Sequence, residues 1–185
     1  ERLREPSPSK LGRLIAPKTA KEEINLLRNI LNRALRHEII SKVPVTHFPS
    51  VKVDNVRKRI FTNEEYHLLL EACPLWLRRI VIMAYWTGMR QKEIIQLEWN
   101  AVGLKEGFIR LRAEQTKTNE ARIVRLSPQA LQMLKEIPRT LQWRNVFLSL
   151  SQKPIRRWGS YQKKVWNESL KRAGIEDAVF HDLRH

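Results

Sequence analysis

The chain has 185 residues, of which 42% are hydrophobic, and this allows one ordinary domain or two small ones with a buried core. Its 35 Lys and Arg residues outnumber its 19 Asp and Glu residues, and the formal charge of +16 favours a polyanionic partner, nucleic acid above all, over a merely soluble basic domain or an acidic membrane surface. No apolar run reaches the ~18 residues of a membrane span and no secretory signal opens the chain. The single cysteine, Cys73, excludes an intrachain disulfide, so we expect a cytoplasmic location.

The first third of the chain is predicted to contain a lead-in, one helix and a linker. Residues 1–18 are polar, basic and proline-containing, which predicts a weakly ordered segment. A helix is expected from Thr19 to a point before Pro44, because apolar residues recur every three or four positions. These are Ile24, Leu27, Ile30, Leu31, Ala34 and Leu35. Residues 44–59 lack this period and are rich in turn formers and cations, which indicates an extended linker with a domain boundary near residue 55.

Two helices with clear end signals follow the linker. Thr62 and Glu65 have the spacing of a capping box, which predicts a helix that runs to about Ala72. Residues 75–86 are apolar on nearly every side, so we expect a buried central helix. Gly88 is suited to end that helix, because glycine adopts a left-handed conformation without strain.

A small antiparallel sheet is predicted next. Arg90 opens a short helix, and residues 107–112 and 121–126 then alternate apolar and polar side chains as strands do. Residues 114–120 connect these two strands, and residues 145–148 are a candidate third strand.

Two more helices complete the prediction. Ser127 and Pro128 form an N-cap followed by proline at the first helical position, which predicts a helix through Leu134. A basic amphipathic helix is expected over residues 160–173, ending at Gly174. The predicted fold class is therefore α+β: mainly α, with a small antiparallel β-sheet in the second domain.

Several side chains have the chemistry of a site for one phosphate. Arg90 follows a glycine turn at a helix start, where free backbone N–H groups and a guanidinium can share an anion, and Glu93 lies on the same face. His181 and Arg184, three residues apart, project from one side of a helical turn, and Lys117 lies at the tip of the predicted hairpin. Each of these features, taken singly, is more often structural or solvent-exposed.

The order of the motifs along the chain is more informative than any one of them. Thr87-Gly88-Met89-Arg90 and Glu93 precede a strand, the Thr116-Lys117-Thr118 turn and finally Phe180-His181-Asp182-Leu183-Arg184-His185. In this order they resemble the tyrosine recombinases, the phage-integrase class of DNA breaking and rejoining enzymes. The resemblance covers about residues 19–185. It implies that residues 1–55 are part of a helical, SAM-like core-binding domain and that residues 56–185 are a C-terminally truncated catalytic domain.

The resemblance also implies a role for each candidate residue. Arg90 and Arg184 would neutralise the scissile phosphate, and Lys117 would protonate the leaving 5′ oxygen. His181 would hydrogen bond and transfer protons at the same phosphate, with Glu93 in a supporting role beside Arg90. No metal or nucleotide cofactor is implied, because a phosphotyrosine link keeps the energy of the broken bond.

The implied partners are double-stranded DNA and sister protomers. The two domains would close around the duplex, with backbone contacts from Arg57, Lys58 and Arg59 in the linker and from Arg156 and Arg157. The full-length protein is expected to act as a tetramer on a recombination synapse, the chain alone to be a monomer, and no membrane to take part.

One departure from the family pattern limits the predicted activity. The family's nucleophilic tyrosine follows the His-x-x-Arg motif, whereas Tyr66, Tyr85 and Tyr161 all precede His181. The chain is therefore expected to be a fragment that binds DNA without cleaving it. A non-catalytic DNA-binding regulator on the same scaffold is the main alternative. A metal-dependent nuclease is disfavoured by the lack of an evident carboxylate cluster, and type IB topoisomerases share the chemistry.

Overall fold

The computed structural model describes residues 6–7, 10–45, 47–53, 59–115 and 120–184. The chain divides into two compact units between residues 57 and 58. Within the described residues, no helix is both long enough and apolar enough to cross a bilayer.

The described residues of the first unit form a pair of short strands and one long helix. Strands β1 (Pro6–Ser7) and β2 (Lys10–Leu14) pair antiparallel, so the prediction of a weakly ordered lead-in is wrong for these residues. Helix α1 (Pro17–Arg36) begins with proline at its first position, where the missing N–H costs nothing. The predicted apolar stripe of α1 remains largely uncovered, with Leu27 48% and Ile30 55% exposed.

Helix α1 ends at Arg36, before Pro44 as predicted, and hydrogen bonds of the following backbone close its last turn. Glu38 has a positive φ of 56° and donates its N–H to the carbonyl of Leu35, while the N–H of Ile39 donates to the carbonyl of Ala34. These two bonds form a Schellman motif, which satisfies the last carbonyls of the helix. The sequence concealed this end, since a glutamate occupies the position that glycine usually marks.

The second unit is built around one buried helix. Its helices are α2 (Asn63–Ala72), α3 (Leu75–Thr87), α4 (Gln91–Ile95), α5 (Pro128–Lys135) and α6 (Ser160–Arg172). Helix α3 contacts α2, α4, α5 and a 3-10 turn at Phe180–Arg184, and its side chains at Leu77, Ile80 and Val81 are fully buried. The prediction of a central apolar helix is confirmed, and so is the predicted fold class.

A three-stranded antiparallel sheet lies in the same unit. Its strands are β3 (Val102–Gly103), β4 (Phe108–Leu111) and β5 (Arg122–Arg125), in the order β3-β4-β5. The two predicted strands are therefore present, but the third strand is β3 and not residues 145–148. Asn145 and Leu148 each make only an isolated bridge, to Glu98 and Pro154, and neither partner belongs to the sheet.

Aromatic packing holds the C-terminal turn against the body of this unit. The ring of Phe180 packs against the rings of Trp158 and Trp166, with centroid distances of 4.8 and 5.3 Å. Asp182 is buried and accepts a 2.8 Å hydrogen bond from the backbone N–H of Val179. The 3-10 turn at Phe180–Arg184 is therefore fixed both by apolar burial and by a local cap.

The capping box that opens α2 provides a test of this fold. The Thr62 hydroxyl accepts a 3.2 Å bond from the N–H of Glu65, and Glu65 Oε2 accepts a 3.0 Å bond from the N–H of Thr62. Thr62→Ala removes one of these bonds and should lower the free energy of unfolding by ~1 kcal/mol. All six tryptophans lie in the second unit, so urea denaturation followed by tryptophan fluorescence reports on it. Thr62→Ser keeps the hydroxyl and should match the parent; equal losses in both variants would contradict the capping role.

Candidate functional site

The turn between α3 and α4 places Arg90 at a helix start. Gly88 ends α3 in the left-handed conformation, with φ of 60°, so any other residue there would be strained. Arg90 is the N-cap residue of α4, and its backbone N–H donates a 2.7 Å bond to Glu93 Oε2. Its guanidinium Nη1 donates a 3.0 Å bond to Glu93 Oε1, so one carboxylate holds both the backbone and the side chain of Arg90.

Glu93 also binds a second arginine, which comes from the sheet. Nη2 of Arg122, at the start of β5, lies 2.7 Å from Glu93 Oε2. The Glu93 side chain is only 2% exposed, whereas those of Arg90 and Arg122 are 33% and 39% exposed. The carboxylate therefore lies beneath two guanidinium groups that both reach the surface.

The electrostatics of Glu93 follow from this arrangement. Burial opposes its ionisation, but hydrogen bonds from the backbone and guanidinium of Arg90, together with the charge and hydrogen bond of Arg122, outweigh burial and lower the pKa of Glu93. The carboxylate is consequently charged at neutral pH and can keep both guanidinium groups in place.

Arg184 joins this group from the far end of the unit. Its Nε donates a 2.6 Å hydrogen bond to the carbonyl of Gly88, 96 positions earlier in the chain. Burial, and then the positive charges of Arg90 and Arg122, lower the pKa of Arg184, yet an arginine remains protonated at any physiological pH. Three guanidinium groups around one carboxylate leave an excess of positive charge, which favours a bound anion.

Of the two remaining predicted catalytic residues, His181 lies within the described residues and Lys117 does not. His181 is exposed and lies on the same 3-10 turn as Arg184, one helical turn before it. Lys117 lies outside the described residues, so its place in the site stays a prediction. The structure thus brings together Arg90, Glu93 and Arg184, with His181 on the element that carries Arg184.

The predicted DNA contacts fall into three groups. Arg57 and Lys58 lie outside the described residues. Arg59 pairs with both carboxylate oxygens of Glu65, at 2.9 and 2.6 Å, so its guanidinium is engaged within the protein. Arg156 and Arg157 are exposed, and the carbonyl of Arg156 lies 3.5 Å from the side-chain nitrogen of Gln96, just past the end of α4. Their contact with DNA stays a prediction.

Arg122 is the site residue that the sequence analysis missed. Register pairs it with Leu111 and pairs Val124 with Ile109, and these three apolar side chains are buried on the inner face of the sheet. Because alternate residues of a strand share a face, an arginine two positions before a buried valine also points inward and needs an anionic partner. The alternation of side chains along this strand could therefore have identified Arg122 from the sequence.

The lowered pKa of Glu93 predicts a pH-dependent contribution to stability. A carboxylate whose folded-state pKa lies below its unfolded value stabilises the fold above the unfolded value, roughly pH 4.3, and loses this contribution as pH falls through the folded pKa. The difference in unfolding free energy between the parent and Glu93→Gln should therefore shrink as pH falls below about 5. Urea denaturation at several pH values measures it.

A surface carboxylate provides the control for this measurement. Glu168 on α6 lies 3.9 Å from Lys164 in an exposed pair, which is expected to contribute little. Glu168→Gln should differ from the parent by less than about 0.5 kcal/mol across the same pH range. A difference for Glu93→Gln that stays constant with pH would show that the Glu93 charge does not stabilise the fold.

Sequence comparison identifies relatives among DNA-rearranging enzymes. The profile of the phage integrase family matches residues 58–185. The integrase of Salmonella phage P22 is 32% identical over 176 residues, which cover 90% of this chain and 45% of that protein. The shufflon-specific DNA recombinase of Escherichia coli is 33% identical over 188 residues, covering 100% of this chain and 46% of that protein. The chain thus spans about half the length of these curated relatives.

Solved structures with the same fold come from the same group of proteins. Lambda integrase, residues 75–356 bound to DNA, aligns with a TM-score of 0.70 at 21% identity, over 91% of this chain and 62% of that one. The Tn1549 transposon integrase in complex with a circular intermediate DNA aligns with a TM-score of 0.71 at 16% identity, over 92% of this chain and 65% of that one. At these identities the likeness shows a shared fold. Since the family profile accounts for the whole second unit and more than half of all residues, the chain belongs to the phage integrase family.

Proposed function

We propose that this chain is the DNA-binding and phosphate-activating part of a site-specific recombinase, which breaks and rejoins DNA through a 3′-phosphotyrosine intermediate. The observation that carries the proposal is the bond between Arg184 Nε and the Gly88 carbonyl. It brings the second arginine of the family motif set to the turn that presents the first, Arg90, although 94 residues separate them in the chain.

The two arginines account for the electrostatic part of the reaction. Cleavage of a phosphodiester builds negative charge on the non-bridging oxygens, and cations already held in place stabilise that charge without reorganising. Glu93 holds Arg90 and the Gly88 carbonyl holds Arg184, so both guanidinium groups are oriented before a phosphate arrives. Each keeps N–H groups that can donate to the non-bridging oxygens.

The proton transfers are assigned to the other two motif residues. Lys117 would protonate the leaving 5′ oxygen, and His181 would hydrogen bond and exchange protons at the same phosphate. Two observations support this role for His181: its side chain is exposed, and it lies one turn before Arg184. This chemistry needs neither a metal nor a nucleotide.

The nucleophile is proposed to be a tyrosine outside these 185 residues. Tyr66 is buried, stacks on Tyr85 at 3.9 Å and accepts a 2.9 Å bond from the indole of Trp86. Burial raises the pKa of Tyr66, which disfavours the ionised form that attacks phosphorus. Tyr161 stacks on Trp76 at 6.3 Å. These contacts support structural roles, so the 185-residue chain is expected to bind DNA without cleaving it.

Duplex DNA and sister protomers are the proposed partners. Lambda integrase has been solved as a dimer bound to a core site and as a tetramer bound to a Holliday junction. By family membership, the same kind of assembly is proposed for the whole protein here. The 185-residue chain alone is proposed to be a monomer.

Binding of duplex DNA by the 185-residue chain should depend steeply on salt. Each neutralised phosphate releases counterions, so a plot of log Kd against log salt concentration should rise with a slope of about 0.9 per contact. The double variant Arg156→Ala/Arg157→Ala should lower this slope by about two units if both residues contact phosphates. Fluorescence anisotropy with a labelled duplex measures both slopes. A flat dependence would contradict DNA binding through the charged surface, and covalent DNA product from the chain alone would contradict the proposed position of the nucleophile.

The catalytic roles can be tested in a longer version that includes a tyrosine downstream of His185, on a site selected from randomised duplexes. Arg90→Ala should remove covalent attachment to DNA while the protein stays folded, because the phosphate charge is no longer neutralised. Lys117→Ala should also fail, but a substrate with a 5′-bridging sulfur should rescue it, since thiolate leaves without an acid.

The pattern of rescue separates the roles in this experiment. Rescue of Arg90→Ala by the sulfur substrate would contradict its role at the non-bridging oxygens. Failure to rescue Lys117→Ala would assign the acid elsewhere. DNA binding without attachment by the unsubstituted longer version would favour a non-catalytic regulator on the same scaffold.

A further inference from the structure

Arg122 is the one member of the charged group that the proposed reaction does not use. It is the first residue of β5 and follows Lys117 by five positions in the chain. Its Nη2 reaches across to Glu93 Oε2 at 2.7 Å, which links the sheet to the first turn of α4, 29 positions away in sequence.

The way Arg122 faces the protein distinguishes it from Arg90 and Arg184. The Nε and Nη2 atoms form one of the two edges with which a guanidinium can bind an anion by two parallel hydrogen bonds, and Nη2 is also part of the other edge. In the described structure, Arg122 Nε is buried and makes no hydrogen bond, while Nη2 is bound to Glu93. This edge is turned into the protein and is not presented to a ligand.

Glu93 depends on Arg122 for part of its own stability as a charged group. A buried carboxylate requires paired cations and hydrogen bonds, and Glu93 receives three bonds, one of which comes from Arg122. Without Arg122, Glu93 would keep only the two hydrogen bonds from Arg90 and would lose one of the positive charges beside it. The carboxylate would then be less ionised and less constrained, and so would the guanidinium that it orients.

We propose that Arg122 is a positioning residue: by holding Glu93, it fixes the Arg90 guanidinium in the orientation that receives the phosphate. The inference rests on the proposed function, because Arg90 must be a phosphate ligand for its orientation to matter. Arg122 itself makes no contact with the phosphate in this scheme, and its effect passes through the Glu93 carboxylate.

Inorganic phosphate is a suitable probe of this site in the 185-residue chain. With 15N-labelled arginine, the Nε–H resonances of Arg90 and Arg184 should shift together and saturate as phosphate is added at constant ionic strength. Arg122→Ala should raise the phosphate Kd by about tenfold, the loss typical when the group that supports a ligand is removed. Arg122→Lys keeps the charge and one donor for Glu93, so its Kd should stay within about threefold of the parent.

Two further variants separate positioning from direct binding and from loss of charge. Arg125→Ala removes an exposed cation from the same strand and should leave the Kd within about twofold. In a Glu93→Gln background, which keeps the side-chain acceptor of the capping box, adding Arg122→Ala should have almost no further effect.

The outcomes are distinct. If Arg122→Ala raises the phosphate Kd equally in the parent and in the Glu93→Gln background, Arg122 binds the anion directly. If the Kd of Arg122→Ala equals that of Arg125→Ala, Arg122 has no role at the site. Either result overturns the positioning role and leaves the proposed phosphate site intact. Absence of saturable shifts at Arg90 and Arg184 in the parent would overturn the phosphate site and the inference together. If Arg122→Ala does not fold, as judged by tryptophan fluorescence, Arg122→Gln in the two Glu93 backgrounds provides the same comparison, with Arg122→Lys as the charge-retaining control.

Discussion

The buried carboxylate of Glu93 is the constraint on which the positive site depends. A charge with a side chain only 2% exposed is tolerated when cations and hydrogen bonds surround it, and here they come from the backbone of Arg90 and from two guanidinium groups. The same bonds that make the burial of Glu93 tolerable also orient Arg90 and connect β5 to α4. The hydrogen bonds that stabilise the buried carboxylate are therefore the same ones that set the geometry of the site.

The apolar architecture of the second unit supplies the rigid frame for this polar cluster. Helix α3 buries six of its thirteen side chains and contacts both α4 and the turn at Phe180–Arg184. Trp158 and Trp166 contact Phe180, and Asp182 caps the turn locally, so the turn that presents Arg184 does not depend on pairing of the Arg184 charge. Arg184 is consequently positioned without a carboxylate partner of its own, and because Arg90 and Arg122 share the single charge of Glu93, an excess of positive charge persists where an anion is to bind.

Local signals predicted well where they were strong. The capping box at Thr62, the glycine end of α3 and the N-cap at Ser127 all appear in the structure, because each depends on hydrogen bonds within a few residues. Local reasoning failed where the decisive partner was unusual or distant. The third strand of the sheet is the two-residue β3, which is too short for any alternation to reveal, and the exact end of α1 is set by Glu38 where no glycine marks it.

The sequence by itself determined the helical character of the second unit, its two main strands and the family motif order, since these depend on periodicity, end signals and residue type along the chain. Tertiary structure alone decided that Arg184 meets the Gly88 carbonyl and that Arg122 shares Glu93 with Arg90. Those contacts join residues 96 and 29 positions apart. Whether such groups meet is set by the packing of α3 against its neighbours, and no local propensity carries that information.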